Sequence, residues 1–548
     1  MNISYVHFAS ETITLRAWIL LGLCGYKKIR KMILTTLIIM GALYVIYYLI
    51  GLYNEVYWKK RGIKFHSKNK VFGPMGEFIT SNRPLFQIFN EIYKMYPDEP
   101  VVALGSLFTP TLYVKDLTNV NHVLNVDFNS FSHRGFDVNE GDKLADNVLF
   151  MNGNRWKLMR QSMTPLFTSS KLKSMYYILD RSALDFVEYL KKRPELLQKD
   201  TFQTLSTFCS AAIGASVFGI ENESVFDSPF LDMANKAFAS TFKNNFLLAI
   251  ANTYPKLFNL FGFKFFKDHE DFFIGAIKQI IKKRQEENVK KHDFADLCVG
   301  LKSKGTLKDD GTGLKIQPTD EILAAQAFFF FVAGVEPSAA SMFGILVELG
   351  RNPEQLRRLH EEIDNSFEKY DKMTYDTITE MEYLDMVFNE ALRMYPPIGI
   401  LMRQCIKDTV LPTGNIKVEA GTKIFSPLFE IHHDPKLYPD PEVFNPERFS
   451  RENSKNINNN AFMAFGEGKR LCIGVRYATL QVKAGLTHEN PYSILDSDRG
   501  TTVELYRSIS KTGYMRHRFG IIQPGRSCSR ESGTFQKRTF WNGLGRPK

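Results

Sequence analysis

The chain has 548 residues, 44% of them hydrophobic, which is enough for one large core or two ordinary ones. Lys and Arg exceed Asp and Glu by eleven, but residues 499–548 hold eleven basic side chains against Glu504 and Glu531. The rest of the chain is therefore close to neutral, which argues against a general nucleic-acid binder with a basic folded face. The six cysteines (Cys24, Cys209, Cys298, Cys405, Cys472, Cys528) are scattered with no Cys-x-x-Cys pair, which argues against a disulfide framework and fits a reducing compartment.

In chain order, "MILTTLIIMGALYVIYYLIGLYN" (32–54) is 23 residues without a charge. At about 1.5 Å per residue it can cross a bilayer core of about 30 Å, so it is predicted to be a transmembrane anchor. Lys27, Lys28, Arg30 and Lys31 precede it and Lys59, Lys60, Arg61 and Lys64 follow it, so the flanks give no orientation. Translation from Met32 would leave only the downstream cluster and put the bulk of the chain in the cytoplasm. Residues 1–31 are then read as an upstream extension, with a second hydrophobic segment around "AWILLGLC" as the alternative. Residues 55–77, with "SKNKVFGPMGE", read as a linker, and folded patterning runs over 78–486. Helical spacing dominates, in "NHVLNV", "DRSALDFVEYLKK", "DFFIGAIKQIIKKRQEE", a long run from Thr319 to Asp364 and "MEYLDMVFNEALRMYPP". Thr319 is the expected N-cap of the long helix, with Asp320 and Glu321 in its first turn. Strands are expected at "VVALG", "TLYVK", "TKIFSP" and "VLPTGNIKV", and "KSKGTLKDDGTGLKIQPTD" as an exposed loop.

The segment "AFGEGKRLCIGVRYATLQ" (464–481) frames Cys472 between a Gly-bearing turn and a helix-like run. A thiolate ligand needs backbone N–H groups left free by a tight turn and a positive charge nearby. Gly466, Gly468 and Gly474 allow the turn, and Lys469 and Arg470 bring charge. Taken alone, Cys472 is equally well a buried structural cysteine.

The wider sequence changes that balance. Phe465 to Gly474 matches Phe-x-x-Gly-x-Arg-x-Cys-x-Gly and resembles the haem-thiolate signature of cytochromes P-450. "EALR" (Glu390, Arg393), "FNPERF" (Arg448) and "NRWKLMR" (Trp156, Arg160) recur in the family's order. The resemblance covers about 32–486. "FSHRGF" and "MTPLFTSSKLKSM" are similar to insect microsomal members associated with metabolism of plant toxins and insecticides. It implies a mainly α fold, with a large helical domain and a smaller β-rich region behind one N-terminal transmembrane helix. It implies haem with Cys472 as axial ligand, a thiolate that favours O–O cleavage. Phe465 belongs to the motif, and Arg134, Trp156, Arg160, Arg403 and Arg470 match positions that hold the haem propionates. Glu390, Arg393 and Arg448 match a structural ion-pair network. Ala333 and Gly334 would leave room for a ligand over the other haem face. Phe328 to Phe331 are core by default, one or two of them bordering an apolar substrate cavity. Implied partners are the endoplasmic reticulum membrane, a lipophilic substrate, an NADPH-dependent reductase docking near Lys157 and Lys469, and a cytochrome b-type second donor, with no nucleic acid.

Two departures stand out. Where the family has an acid followed by threonine, this chain has Glu336, Pro337 and Ser338. The proline is expected to kink the helix, and Ser338, about 100° further round, does not replace the missing alcohol, leaving water near Glu336 and Ser338 to deliver protons. Past Leu486 the family's last helix and C-terminal hairpin have no counterpart. Residues 487–548 read as a frameshifted or mis-spliced segment or as a true basic tail. The resemblance therefore implies a membrane-bound monooxygenase using NADPH-derived electrons. A reductase-independent peroxide isomerase or dehydratase, and a haem-binding-defective non-enzymatic product, remain as alternatives.

Overall fold

The computed structural model describes residues 4–488, apart from residues 82, 140, 220–225, 227–231, 234–235, 237–240, 288–289, 371 and 459. The tail expected over 487–548 lies outside the described residues, except for Thr487 and His488. The fold is mainly helical with three small sheets.

The N-terminal helix runs unbroken from Ser4 to Lys59. Its Arg30–Lys59 part is long and apolar enough to cross a membrane, and none of its most apolar stretch is buried in the protein. The central helix Asp320–Arg351 passes the same test of length and composition, but most of it is buried, as expected of a core helix. The stretch 55–77, read from sequence as a linker, is packed instead. Trp58, Ile63, Phe65, Val71 and Met75 are buried, and Phe65 bridges to Ala103. These apolar residues come in short, unevenly spaced groups between Lys, Arg and His, so they produce no periodic signal.

The main sheet has the order β1-β2-β8-β5. β1 (Val101–Leu104) and β2 (Thr111–Val114) are antiparallel; β8 (Lys423–Pro427) runs parallel to β2 and antiparallel to β5 (Ile400–Gln404). A β3–β4 hairpin (Leu307–Lys308, Lys315–Ile316) interrupts the loop ahead of the central helix, and β6–β7 (Thr409–Leu411, Ile416–Val418) forms from "VLPTGNIKV".

Thr319 caps the central helix, its hydroxyl accepting from the Ile322 N–H at 3.4 Å. The helical run predicted to continue to Asp364 is broken at Asn352, and a second helix starts at Pro353, where proline's fixed φ suits a first turn. The central helix packs against helices Glu195–Phe218, Glu270–Glu287, Glu382–Met394 and Val475–Thr487. Phe328 sits edge-on to Phe266 and Phe273, Phe330 to Phe167 and Phe294, and Phe331 to Phe218, so these rings hold the core together. Burying each contributes roughly 1.5–3 kcal/mol. The helix passes through Pro337 without interruption. Proline supplies no N–H, so the bond that would close onto the Ala333 carbonyl is missing.

Candidate active site

The Cys472 loop is built by its glycines. The Gly466 N–H bonds the Met463 carbonyl at 2.8 Å, that of Leu471 bonds Gly468 at 3.0 Å, and that of Cys472 bonds Phe465 at 2.9 Å. Gly468 has φ +67°, and a Cβ there would lie 2.3 Å from the Leu124 carbonyl oxygen, so no other residue fits. The turn leaves the Gly474 N–H free to donate to the Cys472 sulfur. Burial pushes this thiol up, while the Gly474 N–H and then the guanidiniums of Arg160 and Arg134 pull it down. Of the four cysteines whose side chains are described, only Cys472 has open surface. Its side chain is accessible, although the surrounding protein is dense enough for burial to raise the thiol.

Around it stand four arginines from three parts of the chain. Arg134 is in the loop before the Gly153–Met163 helix, Arg160 on that helix, Arg403 on β5 and Arg470 in the cysteine loop. Arg134 donates to the Arg470 carbonyl at 3.1 Å and Arg160 to the Leu471 carbonyl at 2.8 Å. Arg470 donates to the carbonyls of Ser132 and Met151, at 3.2 and 3.0 Å, and its guanidinium lies 4.0 Å from the Trp156 ring. Arg403 bonds the Met402 carbonyl at 2.8 Å. Among the described residues no carboxylate pairs with any of the four. Burial first, and then mutual repulsion, pushes Arg403 down to about 9 and Arg470 to about 8; burial pushes Arg134 down to about 10, opposed by Cys472. Arg134 Nε, Arg403 Nε and Arg470 Nη1 are buried without a hydrogen-bond partner among the described residues. Burying several like charges with donors unused is costly, and an anion between them would remove the cost.

On the central helix Ala333 is exposed while Phe331, Val332 and Val335 around it are buried, so the helix opens onto a space at that residue. Gly334 does not share it. A Cβ there would meet Ile213 Cγ1 at 2.9 Å, so this glycine serves the close packing of the Glu195–Phe218 helix. Ser338 is also turned elsewhere. The 100° step puts it on the face packed against the Val475–Thr487 helix, where it donates to Gln481 Oε1 at 3.1 Å, and Gln481 in turn donates to the Cys209 carbonyl at 3.0 Å. Its one proton is therefore committed to Gln481 and not to the water expected beside it. Glu336 and Pro337 stay half-buried, and the Pro337 carbonyl accepts from Ser341 at 2.8 Å.

Glu390 and Arg393 are fully buried and joined by bonds of 2.8 and 2.9 Å, with Arg448 3.3 Å from the same carboxylate. Phe465 is half-buried, its ring 6.3 Å from Phe388 on the Glu390 helix. Lys469 is exposed with its ammonium 5.2 Å from the Phe128 ring, and Lys157 is exposed 3.8 Å from Asp309. Sequence reasoning missed Asn152, which touches both Arg134 and Arg470. The available signal was an asparagine at the N-cap position of the helix bearing Trp156.

A sequence model of the family described as Cytochrome P450 matches residues 65–488. The chain belongs to the cytochrome P450 family. Among curated relatives, Cytochrome P450 6B5 of Papilio glaucus is 34% identical over 461 residues, covering 82% of this chain and 95% of that protein. Cytochrome P450 6k1 of Blattella germanica is 33% identical over 470 residues, covering 82% and 89%. Cytochrome P450 6A1 of Musca domestica is 33% identical over 446 residues, covering 79% and 86%.

As a cytochrome P450 the chain is a monooxygenase, and membership implies a haem ligated by a cysteine thiolate. The donor set fits that group. A haem brings two propionates and takes one thiolate, three anionic groups for a cluster with four guanidiniums, three donors without a partner among the described residues, and one accessible thiol.

Proposed function

We propose that the protein is a membrane-anchored cytochrome P450. It inserts one oxygen atom from dioxygen into a lipophilic substrate, using NADPH-derived electrons delivered by a separate reductase. The observation that carries this reading is the accessible Cys472 thiol beside two buried arginines, Arg403 and Arg470, and two half-buried ones, Arg134 and Arg160, none of them with an acidic partner among the described residues. Bound there, haem supplies the oxygen-activating chemistry. Cys472 would ligate it, held by its own N–H bond to Phe465 and by the Gly474 N–H. Arg134, Trp156, Arg160, Arg403 and Arg470 would hold its propionates. Ala333, exposed on the central helix, would leave room for a ligand, and the phenylalanine core would help to exclude bulk water.

The anchor supports the membrane assignment. A second apolar feature agrees with it: Phe108 at the β1–β2 turn packs on Tyr254 and is exposed, as are Leu260 and Phe261 just beyond. With Met32 as the start, the basic cluster after the anchor favours the endoplasmic reticulum with the catalytic region in the cytoplasm. Lys469 is exposed in the cysteine loop and Lys157 is exposed on the helix that carries Arg160; an acidic reductase face would dock against them, and the same face would serve a cytochrome b-type donor. Xenobiotic compounds or endogenous lipids are the substrates that an apolar cleft would accept.

Pro337 favours a second reading, reductase-independent rearrangement of peroxides, because the residue at that position carries no hydroxyl and the Ser338 hydroxyl is turned to Gln481. Turnover separates the two. Purified protein with reductase should consume NADPH and form an oxygenated product; rearrangement of a hydroperoxide alone, with no NADPH use, overturns the monooxygenase reading.

With Ser338 committed to Gln481, proton delivery falls to water near Glu336 and the open Ala333 carbonyl. Much of the reducing power should then escape as hydrogen peroxide. Pro337→Thr restores both a hydroxyl and an N–H. It should raise product formed per NADPH by at least about twofold, a modest part of the roughly 100-fold that a positioned proton donor contributes. Coupling measured on haem-loaded protein checks this, and an unchanged or lower ratio removes the residue from proton delivery.

A further inference from the structure

We propose that Asn152 is a positioning residue that ties the guanidinium cluster to the aromatic wall formed by Phe136 and Phe150. Its backbone has the extended conformation of an N-cap, φ −127° and ψ 167°, directly ahead of the Gly153–Met163 helix. An asparagine there normally accepts from an N–H of the first turn. This side chain makes no such bond. It is used elsewhere, to capacity.

Its Oδ1 accepts from the Arg134 N–H and from Arg470 Nη2, each at 3.2 Å. Its Nδ2 donates to the carbonyls of Phe136 and Phe150, at 3.1 and 3.0 Å. The first pair are donors only and the second acceptors only, so the amide has one allowed orientation. One planar group therefore fixes the backbone that carries Arg134, one arm of Arg470 and two residues of the wall. The neighbouring Met151 carbonyl takes a second bond from the same Arg470 arm. Arg134 Nε and Arg470 Nη1 are buried with no partner among the described residues and are available to an anion.

The wall extends the connection. The rings of Phe136 and Phe150 meet edge-on at 5.6 Å, and Phe150 lies 6.2 Å from Phe265 and 6.0 Å from Phe266. Phe266 packs at 4.9 Å on Phe328 of the central helix. Movement of the wall is thus transmitted through Asn152 to the arginines, and their engagement with an anion fixes the wall.

The proposal rests on the haem reading above, and the test keeps the two apart. Full-length protein is loaded with protohaem or with its dimethyl ester, which has the same ring and no propionate charge. The rate of haem transfer to an excess of apomyoglobin is then measured. Asn152→Ala should speed protohaem loss about tenfold, the effect of losing a hydrogen bond to a charged group, and leave the ester's rate near that of the parent. Asn152→Asp keeps the acceptor oxygen and the side-chain size, so it covers the case in which the alanine variant does not fold. Its carboxylate competes for Arg470 and cannot donate to Phe136 or Phe150, so it too should speed loss of protohaem selectively. Equal acceleration of both haems, or of neither, overturns the proposal. Parent protein that takes up neither haem overturns the haem reading and this proposal with it.

Discussion

Cys472→Ser should give a folded protein whose reduced, carbon-monoxide-treated form lacks the thiolate-type absorption band and whose NADPH-driven turnover is lost. A serine hydroxyl stays protonated where the thiol ionises, and it is a far weaker electron donor to iron. The fold should survive, because the bond from this residue to Phe465 is a backbone bond and the side chain lies outside the hydrophobic core. The change should alter stability by no more than about 1 kcal/mol. No other described cysteine can take over. Cys209 and Cys298 are buried and burial pushes their thiols up; Cys405 is pushed up to about 11 and its sulfur lies 3.0 Å from the Lys407 carbonyl. Removing the thiolate also removes an attraction for Arg134 and Arg160, so haem affinity should fall along with ligation. The spectrum is the measurement, with circular dichroism as the check on folding. A surviving thiolate-type band in the serine variant would mean that a different cysteine is the ligand.

How much of this was legible in the sequence depended on how local the signal was. The Thr319 cap, the first-turn acids and the Gly-bearing cysteine loop each sit within a few residues, and short-range geometry decides them. The Glu390–Arg393 pair is three residues apart on one helix and was visible for the same reason. β5 was not visible. "ILMRQ" shows no alternation and its partner β8 lies a whole hairpin away, so pairing partners decide the strand and not its own pattern. The rotational phase of the central helix was readable only in part. The 100° step separated Ser338 from the missing alcohol, but only packing could show that Gln481 holds Ser338 and that Ile213 fills the space beside Gly334. Asn152 was hidden because three of its four side-chain bonds run to residues 134, 136 and 470, well away in the chain, and only the one to Phe150 is local.

Arg393→Ala should be the most destabilising single change, because this guanidinium satisfies four acceptors with no access to water. It bonds both oxygens of Glu390, at 2.8 and 2.9 Å, and the carbonyls of His432 and Pro441, both at 2.8 Å. Truncation leaves Glu390 buried, with only Arg448 at 3.3 Å and the Asn445 N–H at 3.0 Å to balance it. Breaking one side of a buried pair costs about 3–5 kcal/mol, set against a total stability of about 5–15 kcal/mol. The loss should reach the cysteine loop, because Arg393 fixes the backbone of His432. The His432 ring, which burial pushes down to about 3 and so keeps neutral, accepts the Met463 N–H at 3.1 Å, and the Met463 carbonyl accepts the Gly466 N–H that opens the turn. Arg393→Ala should therefore unfold at much lower urea and also lose haem faster while still folded. Arg393→Lys should fall between the two, since one ammonium cannot reach all four acceptors in the plane of a guanidinium. Urea titrations and haem-transfer rates measure the two effects separately. A parent-like midpoint for the alanine variant would show that the pair contributes no net stability, and a parent-like transfer rate would break the link drawn here from Arg393 through His432 to the Cys472 loop.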